Sequence, residues 1–293
     1  MKRALLLPAL ALLALVGAGC AQSQGPASVT LYVAGDIATC GSDADEATAA
    51  LIERLAPEDA TWYVLALGDL AYSAGTDAQF RDCYAPSWGR FKNRTLPVPG
   101  NHEYYSGGGG YFRYWGARAA PPEGWYATRL AGWRLFALNS NCDWVGGCGE
   151  GSPQYAWLEN RLREEPDGCA LAFAHYPRYS SGRHGDLPGM DPLWDLLHRY
   201  RAELYLAGHD HDYERFAPRD AAGAHDPEAG LVQFVVGTGG AGLRRAGAPG
   251  PLSRAFADDA HGVLELTLEP GAYAWRFVAT DGRVLDQGTG VCR

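Results

Sequence analysis

Short apolar runs, each followed by a glycine or a small polar residue, recur along the first two thirds of the chain and predict buried strands. They cover Val29–Ala34, Trp62–Leu67, Thr95–Val98, Cys169–Ala174 and Glu203–Ala207. Between them, helical spacing of apolar residues and helix-start signals predict helices. These cover Ser42–Ala56, a segment from Ser152-Pro153 that closes before Pro166, and a segment that begins at Asp191-Pro192. Alternation of strands and helices indicates parallel strands joined by crossovers.

In the remaining segments, predicted strands follow one another with no predicted helix between them. A hairpin is predicted from Trp125–Leu130 and Trp133–Asn139. The last third predicts strands over Leu231–Val236, Val263–Leu268, Ala272–Ala279 and Arg283–Asp286. The glycine- and tyrosine-rich segment Tyr104–Gly124 predicts a surface loop or lid, whose aromatic rings either pack on the body or face a substrate. The whole pattern predicts an α/β sandwich of two sheets.

The first twenty residues have the pattern of an export signal, with a charged start at Lys2-Arg3 and an apolar core over Ala4–Val16. Gly17-Ala18-Gly19-Cys20 resembles the lipobox of bacterial lipoproteins, which predicts lipid on Cys20 and possible membrane anchoring. Gly17 departs from the apolar residue usual in that motif, so cleavage without lipid is the alternative. We therefore predict a signal peptide over residues 1–20, a linker over 21–28 and one domain over 29–293, located in the cell envelope or outside the cell.

Composition narrows the possible functions. A hydrophobic content of 47% with 20% charged residues suits a globular domain with a sizeable core. The net charge of −9 argues against a nucleic-acid partner, because such surfaces are usually basic.

Export also predicts that the cysteines form disulfides, because an oxidising compartment favours these bonds. Of seven cysteines, six remain after Cys20. Cys142 and Cys148 flank a short glycine-rich loop and are the easiest pair to close. The remaining four are assigned by elimination: Cys40 with Cys83, and Cys169 with Cys292.

Polar residues that can bind metals follow five of the predicted strands. They are Asp36, Asp69, Asn101, His175, and the pair His209 and His211. Asp36 and Asp69 are 33 residues apart and Asp69 and Asn101 are 32 apart, about one crossover each. Because carboxyl ends of parallel strands meet at one edge of a sheet, these side chains are expected to lie together.

The types of donor indicate more than one metal ion. A single histidine at a strand end is usually an ordinary turn residue, but His175 and the His209-x-His211 pair supply three rings that suit zinc or iron. With Tyr72, the set holds seven donors, which exceeds the four that one zinc takes. The sequence therefore predicts two metal ions that share one carboxylate.

In order along the chain, these blocks resemble those of the calcineurin-like metallophosphoesterases. The blocks are Asp36, Gly68-Asp69-x-x-Tyr72, Gly100-Asn101-His102-Glu103, His175 and Gly208-His209-x-His211. Tyr72, three residues after Asp69, is similar to the purple acid phosphatase branch. The resemblance implies a four-layer α/β/β/α sandwich of two mixed sheets with a dinuclear site at strand ends. It places Asp36, Asp69, Tyr72 and His211 on one metal, and Asp69, Asn101, His175 and His209 on the other.

One departure bears on the identity of the metals. The family's first block usually reads Asp-x-Gly or Asp-x-His, whereas this chain has Asp36-Ile37-Ala38, and Tyr72 fits as the ligand that replaces a histidine at position 38. Because a phenol has a pKa of about 10, binding it as phenolate at neutral pH requires a strongly polarising ion. We therefore expect Fe(III) in the first site and Zn, Mn or Fe(II) in the second.

The resemblance also implies the reaction: hydrolysis of a phosphate ester by a metal-bound hydroxide. His102 resembles the family's substrate-contacting histidine and is a candidate to protonate the leaving group. His184, nine residues after His175, is either a second substrate-facing histidine or an exposed loop residue. The predicted function is an acid-phosphatase-like phosphomonoesterase acting on a small phosphate ester. The alternatives are a phosphodiesterase on the same site and a non-catalytic surface-binding lipoprotein.

Overall fold

The computed structural model describes Met1, residues 28–165 and residues 168–293. Apart from Met1 and Ser28, the predicted signal peptide, the predicted lipidation site Cys20 and the predicted linker therefore lie outside the described residues. No helix in the described ranges combines the length and apolar character needed to cross a bilayer.

The described chain forms two large sheets with helices around them. The strands are β1 (Val29–Ala34), β2 (Ala38–Thr39), β3 (Trp62–Leu67), β4 (Ala71–Tyr72), β5 (Thr95–Val98), β6 (Tyr126–Leu130), β7 (Trp133–Ala137), β8 (Ala170–Phe173), β9 (Leu204–Ala207), β10 (Tyr213–Phe216), β11 (Val232–Val236), β12 (Ser253–Ala257), β13 (Gly262–Glu269), β14 (Ala272–Ala279) and β15 (Val284–Val291). The α-helices are α1 (Ala44–Leu55), α2 (Asp77–Gln79), α3 (Asn101–Tyr104), α4 (Gly109–Trp115), α5 (Pro153–Glu164) and α6 (Asp191–Arg199). A π-helical turn covers Phe80–Tyr84, and 3-10 turns cover Trp88–Arg94, Gly116–Ala119, Cys142–Trp144 and Pro188–Met190.

Both sheets are mixed, as predicted. The six-stranded sheet has the order β15-β14-β13-β1-β3-β5, and β1, β3 and β5 run parallel. The seven-stranded sheet has the order β12-β10-β11-β9-β8-β7-β6, and β7, β8, β9 and β11 run parallel. Each sheet therefore presents a group of carboxyl-terminal strand ends at one edge. The short strands β2 and β4 pair parallel just beyond the ends of β1 and β3.

Two hydrophobic cores define four layers. The first core includes residues of both sheets, such as Leu65 of β3 and Leu206 of β9, and also Ile52 of α1. The second lies under α5 and α6 and includes Leu158 and Leu196 packed with residues of the seven-stranded sheet. The prediction of a four-layer α/β/β/α sandwich is confirmed. All three predicted disulfides are also present: Cys142–Cys148, Cys40–Cys83 and Cys169–Cys292.

Several local predictions need correction. The segment Tyr104–Gly124 is not only a loop, because it holds α4, whose Tyr111 and Trp115 are buried in the first core. Burial of these rings provides the stabilisation that a helix starting with glycines lacks. The last strand extends to Val291, beyond the predicted end at Asp286. Strands β2, β4, β10 and β12 were not predicted.

Candidate metal centre

The carboxyl ends of the parallel strands from both sheets meet at one place. The two sheets are joined there by a hydrogen bond in which the Gly35 N–H donates to the Val236 carbonyl at 2.8 Å. The loops that follow β1, β3, β5, β8 and β9 all enter this region. They bring together all seven residues predicted as ligands: Asp36, Asp69, Tyr72, Asn101, His175, His209 and His211.

Unusual backbone conformations aim three of these side chains. Asp36, Asp69 and His209 have φ values of 58°, 52° and 74°, in the left-handed region that residues with side chains seldom adopt. Such conformations cost about 1–3 kcal/mol each and persist where the surrounding structure enforces them. At Gly100, an added Cβ would lie 2.1 Å from Asp69 Oδ1, so only glycine allows this approach. These loop conformations therefore fix the positions of the carboxylates.

The Tyr72 hydroxyl lies at the centre of the first group of ligands. Its Oη is 2.8 Å from Asp36 Oδ1, 3.0 Å from Asp69 Oδ2 and 3.1 Å from His211 Nε2. A neutral phenol has one proton and can donate it to only one of these atoms. The hydroxyl oxygen therefore lies among three atoms that can each bind a metal ion.

Hydrogen bonds outside the centre fix the orientation of two imidazole rings. His175 Nδ1 is 2.8 Å from the Leu67 carbonyl, and His211 Nδ1 is 2.6 Å from the Gly242 carbonyl. Because a carbonyl can only accept, both Nδ1 atoms carry hydrogen. This leaves Nε2 of each ring facing inward, the arrangement in which protein histidines bind metals.

The inward-facing nitrogens meet further acceptors. His175 Nε2 is 3.1 Å from Asn101 Oδ1 and 3.4 Å from Asp69 Oδ2, and His211 Nε2 is 3.3 Å from Asp36 Oδ1. One carboxylate oxygen of each aspartate and a ring nitrogen of His175 lie within 4.8 Å of one another. Burial would lower the pKa of His175, but the carboxylates of Asp69 and Asp36 outweigh it and raise the pKa to about 9. The centre thus attracts positive charge, and its donors fit metal cations.

Ionisation of the other ligands follows from burial and nearby charge. Burial, followed by the charges of Asp36 and Asp69, raises the pKa of Tyr72 well above its usual value. Burial would also raise the pKa of Asp36, but interactions with His211 outweigh it and hold that pKa low. Burial lowers the pKa of His209 to about 3, so this ring is neutral and its lone pair is available. Tyr72 can become a phenolate here only beside a strongly polarising cation.

Glu103, although part of a recognised motif, has a structural role that the sequence did not reveal. It is fully buried, and its carboxylate accepts from four backbone N–H groups on two loops. They belong to Asp69 (2.9 Å), Leu70 (2.9 Å), Ala71 (3.3 Å) and Gly100 (2.7 Å). Burial is the largest influence and raises the pKa of Glu103 to about 7. Glu103 therefore ties the loop after β3 to the loop after β5.

A cavity of about 340 Å³ opens over the centre. His102 lies on its wall, with Nδ1 donating to the Ser73 carbonyl at 2.7 Å and Nε2 directed toward Asp69 Oδ2 at 3.7 Å. His184 also lines the cavity, so it does not point away as an isolated loop residue. Its ring stacks on that of His209 with centroids 4.3 Å apart.

Arg244 completes the wall and was not predicted. Asp210 Oδ1 accepts from His184 Nδ1 at 3.0 Å, and Arg244 Nη1 lies against the same ring, 3.2 Å from Nδ1 and 2.8 Å from Nε2. The contacts from Asp210 to His184 and from His184 to Arg244 thus hold the Arg244 guanidinium at the cavity. The signal that could have indicated this region is the end of β11, because Gly237-Thr238-Gly239 follows a parallel strand at the same edge.

Comparisons with known proteins agree with this architecture. The family model "Calcineurin-like phosphoesterase" matches residues 29–213. Two relatives from Arabidopsis thaliana are "Probable inactive purple acid phosphatase 1", 25% identical over 83% of this chain, and "Probable purple acid phosphatase 20", 26% identical over 87%. A purple acid phosphatase from seeds of yellow lupin (Lupinus luteus) superposes over 91% of this chain with a TM-score of 0.70 and 22% identity, which shows a shared fold.

The match covers only part of these three proteins. It spans 44% and 63% of the two Arabidopsis relatives and 54% of the lupin chain. The family match nevertheless covers β1 to the start of β10, which includes all the strand ends that carry candidate ligands. The chain therefore belongs to the calcineurin-like phosphoesterase family.

Proposed function

We propose that this chain is an exported phosphoesterase that holds two metal ions and hydrolyses phosphate monoesters. The observation that carries the proposal is the convergence of oxygen and nitrogen donors at the buried centre. The Tyr72 hydroxyl lies within 3.1 Å of Asp36, Asp69 and His211, and the inward nitrogens of His175 and His211 face oxygen atoms of Asn101 and Asp36. Buried carboxylates are costly unless positive charge lies beside them, and metal cations held by these donors would supply it.

The ligands divide into two sets with one shared member. The first set is Asp36, Asp69, Tyr72 and His211, and the second is Asp69, Asn101, His175 and His209. Binding of Tyr72 as phenolate requires a strongly polarising ion and so favours Fe(III) in the first set, since a weakly polarising ion would leave the phenol protonated. The second set has the mixed oxygen and nitrogen donors that suit Zn, Mn or Fe(II). When bound, two such cations neutralise the charge of a phosphate ester and act as Lewis acids in its hydrolysis.

Residues on the cavity wall would handle the substrate. Arg244 has guanidinium N–H groups besides those of Nη1, which lies against the His184 ring, and they can bind phosphate oxygens. His184 then positions Arg244 and is held in turn by Asp210. His102 is oriented by Ser73 so that Nε2 can supply a proton to the leaving oxygen. His102 therefore keeps the acid role, and His184 a positioning role.

Export is supported by the disulfides as well as by the leader pattern. Three disulfides pair the six cysteines of the described residues, and such bonds persist mainly in oxidising compartments. The lipobox-like Cys20 supports a lipid anchor in the cell envelope. Intact mass of the native product tests this, with a lipidated Cys20 at the N-terminus expected. An unmodified N-terminus downstream of Cys20 would remove the anchor and leave export in place.

Catalysis is favoured over a non-catalytic role because the ligand set is complete. One relative carries the word "inactive" in its name and another of similar identity does not, so overall similarity does not decide the matter. A scaffold that had lost catalysis would be free to lose ligands, whereas all seven predicted donors are present and converge here.

The function is tested by phosphate release from a panel of monoesters and diesters, using wild type and Asp69→Asn. We expect hydrolysis of monoesters by wild type and at least a 100-fold loss in Asp69→Asn, because the shared carboxylate loses its charge. Asp59→Asn, an exposed turn residue, is the matched control. Faster hydrolysis of diesters would reassign the substrate class. A protein with both metals and no hydrolysis of any ester would favour the non-catalytic alternative.

The identity of the first metal is tested through Tyr72. A phenolate bound to Fe(III) gives a charge-transfer band in the visible range, so we expect coloured wild type and colourless Tyr72→Phe. Tyr105→Phe, which also removes a hydroxyl at the cavity, should keep the colour. A colourless wild type with two divalent ions and full activity would rule out Fe(III) while leaving the phosphoesterase proposal intact.

A further inference from the structure

A second cavity, which the mechanism above does not use, adjoins the metal centre. It has a volume of about 460 Å³, within the range of roughly 300–1,000 Å³ typical of small-molecule sites. We call it the aromatic groove and define it by Asn101, Tyr105, Asn141, Asp143, Trp144 and Tyr176. Asn101, Tyr105 and Tyr176 line both this groove and the cavity over the centre. A molecule with its phosphate at the centre can therefore extend into the groove.

The groove exposes large aromatic rings to solvent. Tyr105 and Trp144 are 66% and 61% exposed, although most large hydrophobic side chains of the described residues are buried. Rings left exposed beside a polar site are typical of ligand-binding surfaces. Tyr105 contacts the His102 ring with centroids 4.6 Å apart, and Tyr176 contacts the His209 ring at 4.6 Å. The aromatic surface thus begins directly at the centre.

The groove is held in shape without a ligand. The Cys142–Cys148 disulfide closes the loop that carries Trp144, and the Trp144 ring stacks on Tyr104 with centroids 5.2 Å apart. The Tyr104 hydroxyl accepts from Asn139 Nδ2 at 2.7 Å. A surface that is ordered before binding loses little entropy when a ligand arrives. These contacts favour a rigid planar ligand.

Polar groups in the groove add a preference for hydrogen-bond donors. Asp143 is exposed and places a carboxylate beside the rings, and Asn141 adds a carboxamide. Among the described residues that line the groove there is no lysine or arginine. A planar ring with an exocyclic amino group matches both the aromatic walls and these acceptors.

We propose that the aromatic groove binds the nucleobase of a nucleoside 5′-monophosphate, whose phosphate lies at the metal centre and whose ribose spans the shared wall. The proposal rests on the proposed phosphoesterase function and narrows its substrate class. Stacking on an aromatic side chain stabilises a bound base by an amount that corresponds to about a tenfold change in affinity or more.

The test compares AMP with ribose 5-phosphate, which has the same primary leaving oxygen and lacks the base. We expect wild type to favour AMP in kcat/KM by about tenfold or more, and Trp144→Ala to lose most of that preference. Trp144→Phe, which keeps a ring, should retain it. Trp125→Ala removes a partly buried tryptophan away from the groove and serves as the matched control.

A binding measurement separates this proposal from the function on which it rests. Adenosine has no phosphate, so its calorimetric titration reports the groove alone; we expect weaker binding by Trp144→Ala than by wild type. Equal kcat/KM for the two esters in wild type, or adenosine binding unchanged in Trp144→Ala, would overturn the groove proposal. Adenosine binding that depends on Trp144, in a protein that hydrolyses no ester, would support the groove and reject the phosphoesterase function.

Discussion

Replacement of Glu103 by glutamine tests how the loops of the centre are held together. Glu103 Oε1 accepts from Leu70 and Ala71, and Oε2 accepts from Asp69 and Gly100. A carboxamide has only one oxygen, so two of the four buried N–H groups would face an NH₂ group instead. Each unsatisfied buried donor costs about 1–3 kcal/mol, or about 2–6 kcal/mol for the pair. That is a large part of the roughly 5–15 kcal/mol by which such proteins are stable.

The assay is thermal unfolding followed by circular dichroism in the presence of a chelator, so that loss of metal does not contribute. At about 2–4 °C per kcal/mol, we expect the Tm of Glu103→Gln to fall by roughly 5–20 °C. Glu58→Gln, an exposed isosteric change, should stay within about 0.5 kcal/mol of wild type. If Glu103→Gln were as stable as Glu58→Gln, the carboxylate would not be what joins the two loops.

Two further predictions concern stability away from the centre. Burial would raise the pKa of Asp286, but hydrogen bonds from Arg215 and Tyr213 outweigh it and hold the pKa below its usual value; Asp286→Asn should therefore cost about 2–3 kcal/mol in urea unfolding at pH 7. A carboxyl group with a lowered folded-state pKa stabilises the fold fully above its unfolded pKa of about 4, and this stabilisation is lost as the pH falls through the folded-state pKa. The difference in stability between wild type and Asp286→Asn should therefore shrink below pH 4. A difference that stays constant with pH would contradict this origin. Loop lengths of 6 and 123 residues predict that replacing both cysteines by serine costs about 2 kcal/mol for Cys142–Cys148 and about 5 kcal/mol for the longer disulfide. Equal losses in urea unfolding would show that closure entropy does not set the difference.

Strands made mainly of apolar residues could be predicted from the sequence. β1, β3 and β5 are apolar runs that end at loop residues, and their predicted and observed bounds agree. β10 was missed because it contains the charged residues Glu214 and Arg215, which do not fit an apolar strand pattern. The Glu214 carboxylate accepts hydrogen bonds from Ser181, and Arg215 donates to Asp286 of β15. These partners are distant in sequence, so the local pattern could not reveal that the segment is a strand.

The candidate site, too, could be predicted from the sequence only in part. Parallel strands bring their carboxyl ends together, so the positions of Asp36, Asp69 and Asn101 followed from spacing alone. The pairing of Arg244 with His184 did not, because it joins two loops 60 residues apart. The aromatic groove likewise combines the segment after β5, the disulfide loop and the segment before α6. Sequence patterns identify what a strand end carries, whereas long-range packing decides which side chains surround it.

The most direct test of the account is the number of metal ions bound per chain. Wild type and Asp69→Asn would be purified without chelators, and their metals would be counted by elemental analysis against protein concentration. The account predicts two ions in wild type, one of them iron, and fewer than two in Asp69→Asn, because Asp69 serves both sets of ligands. A wild type that binds one ion or none after incubation with iron and zinc, or an Asp69→Asn variant that keeps both, would contradict it.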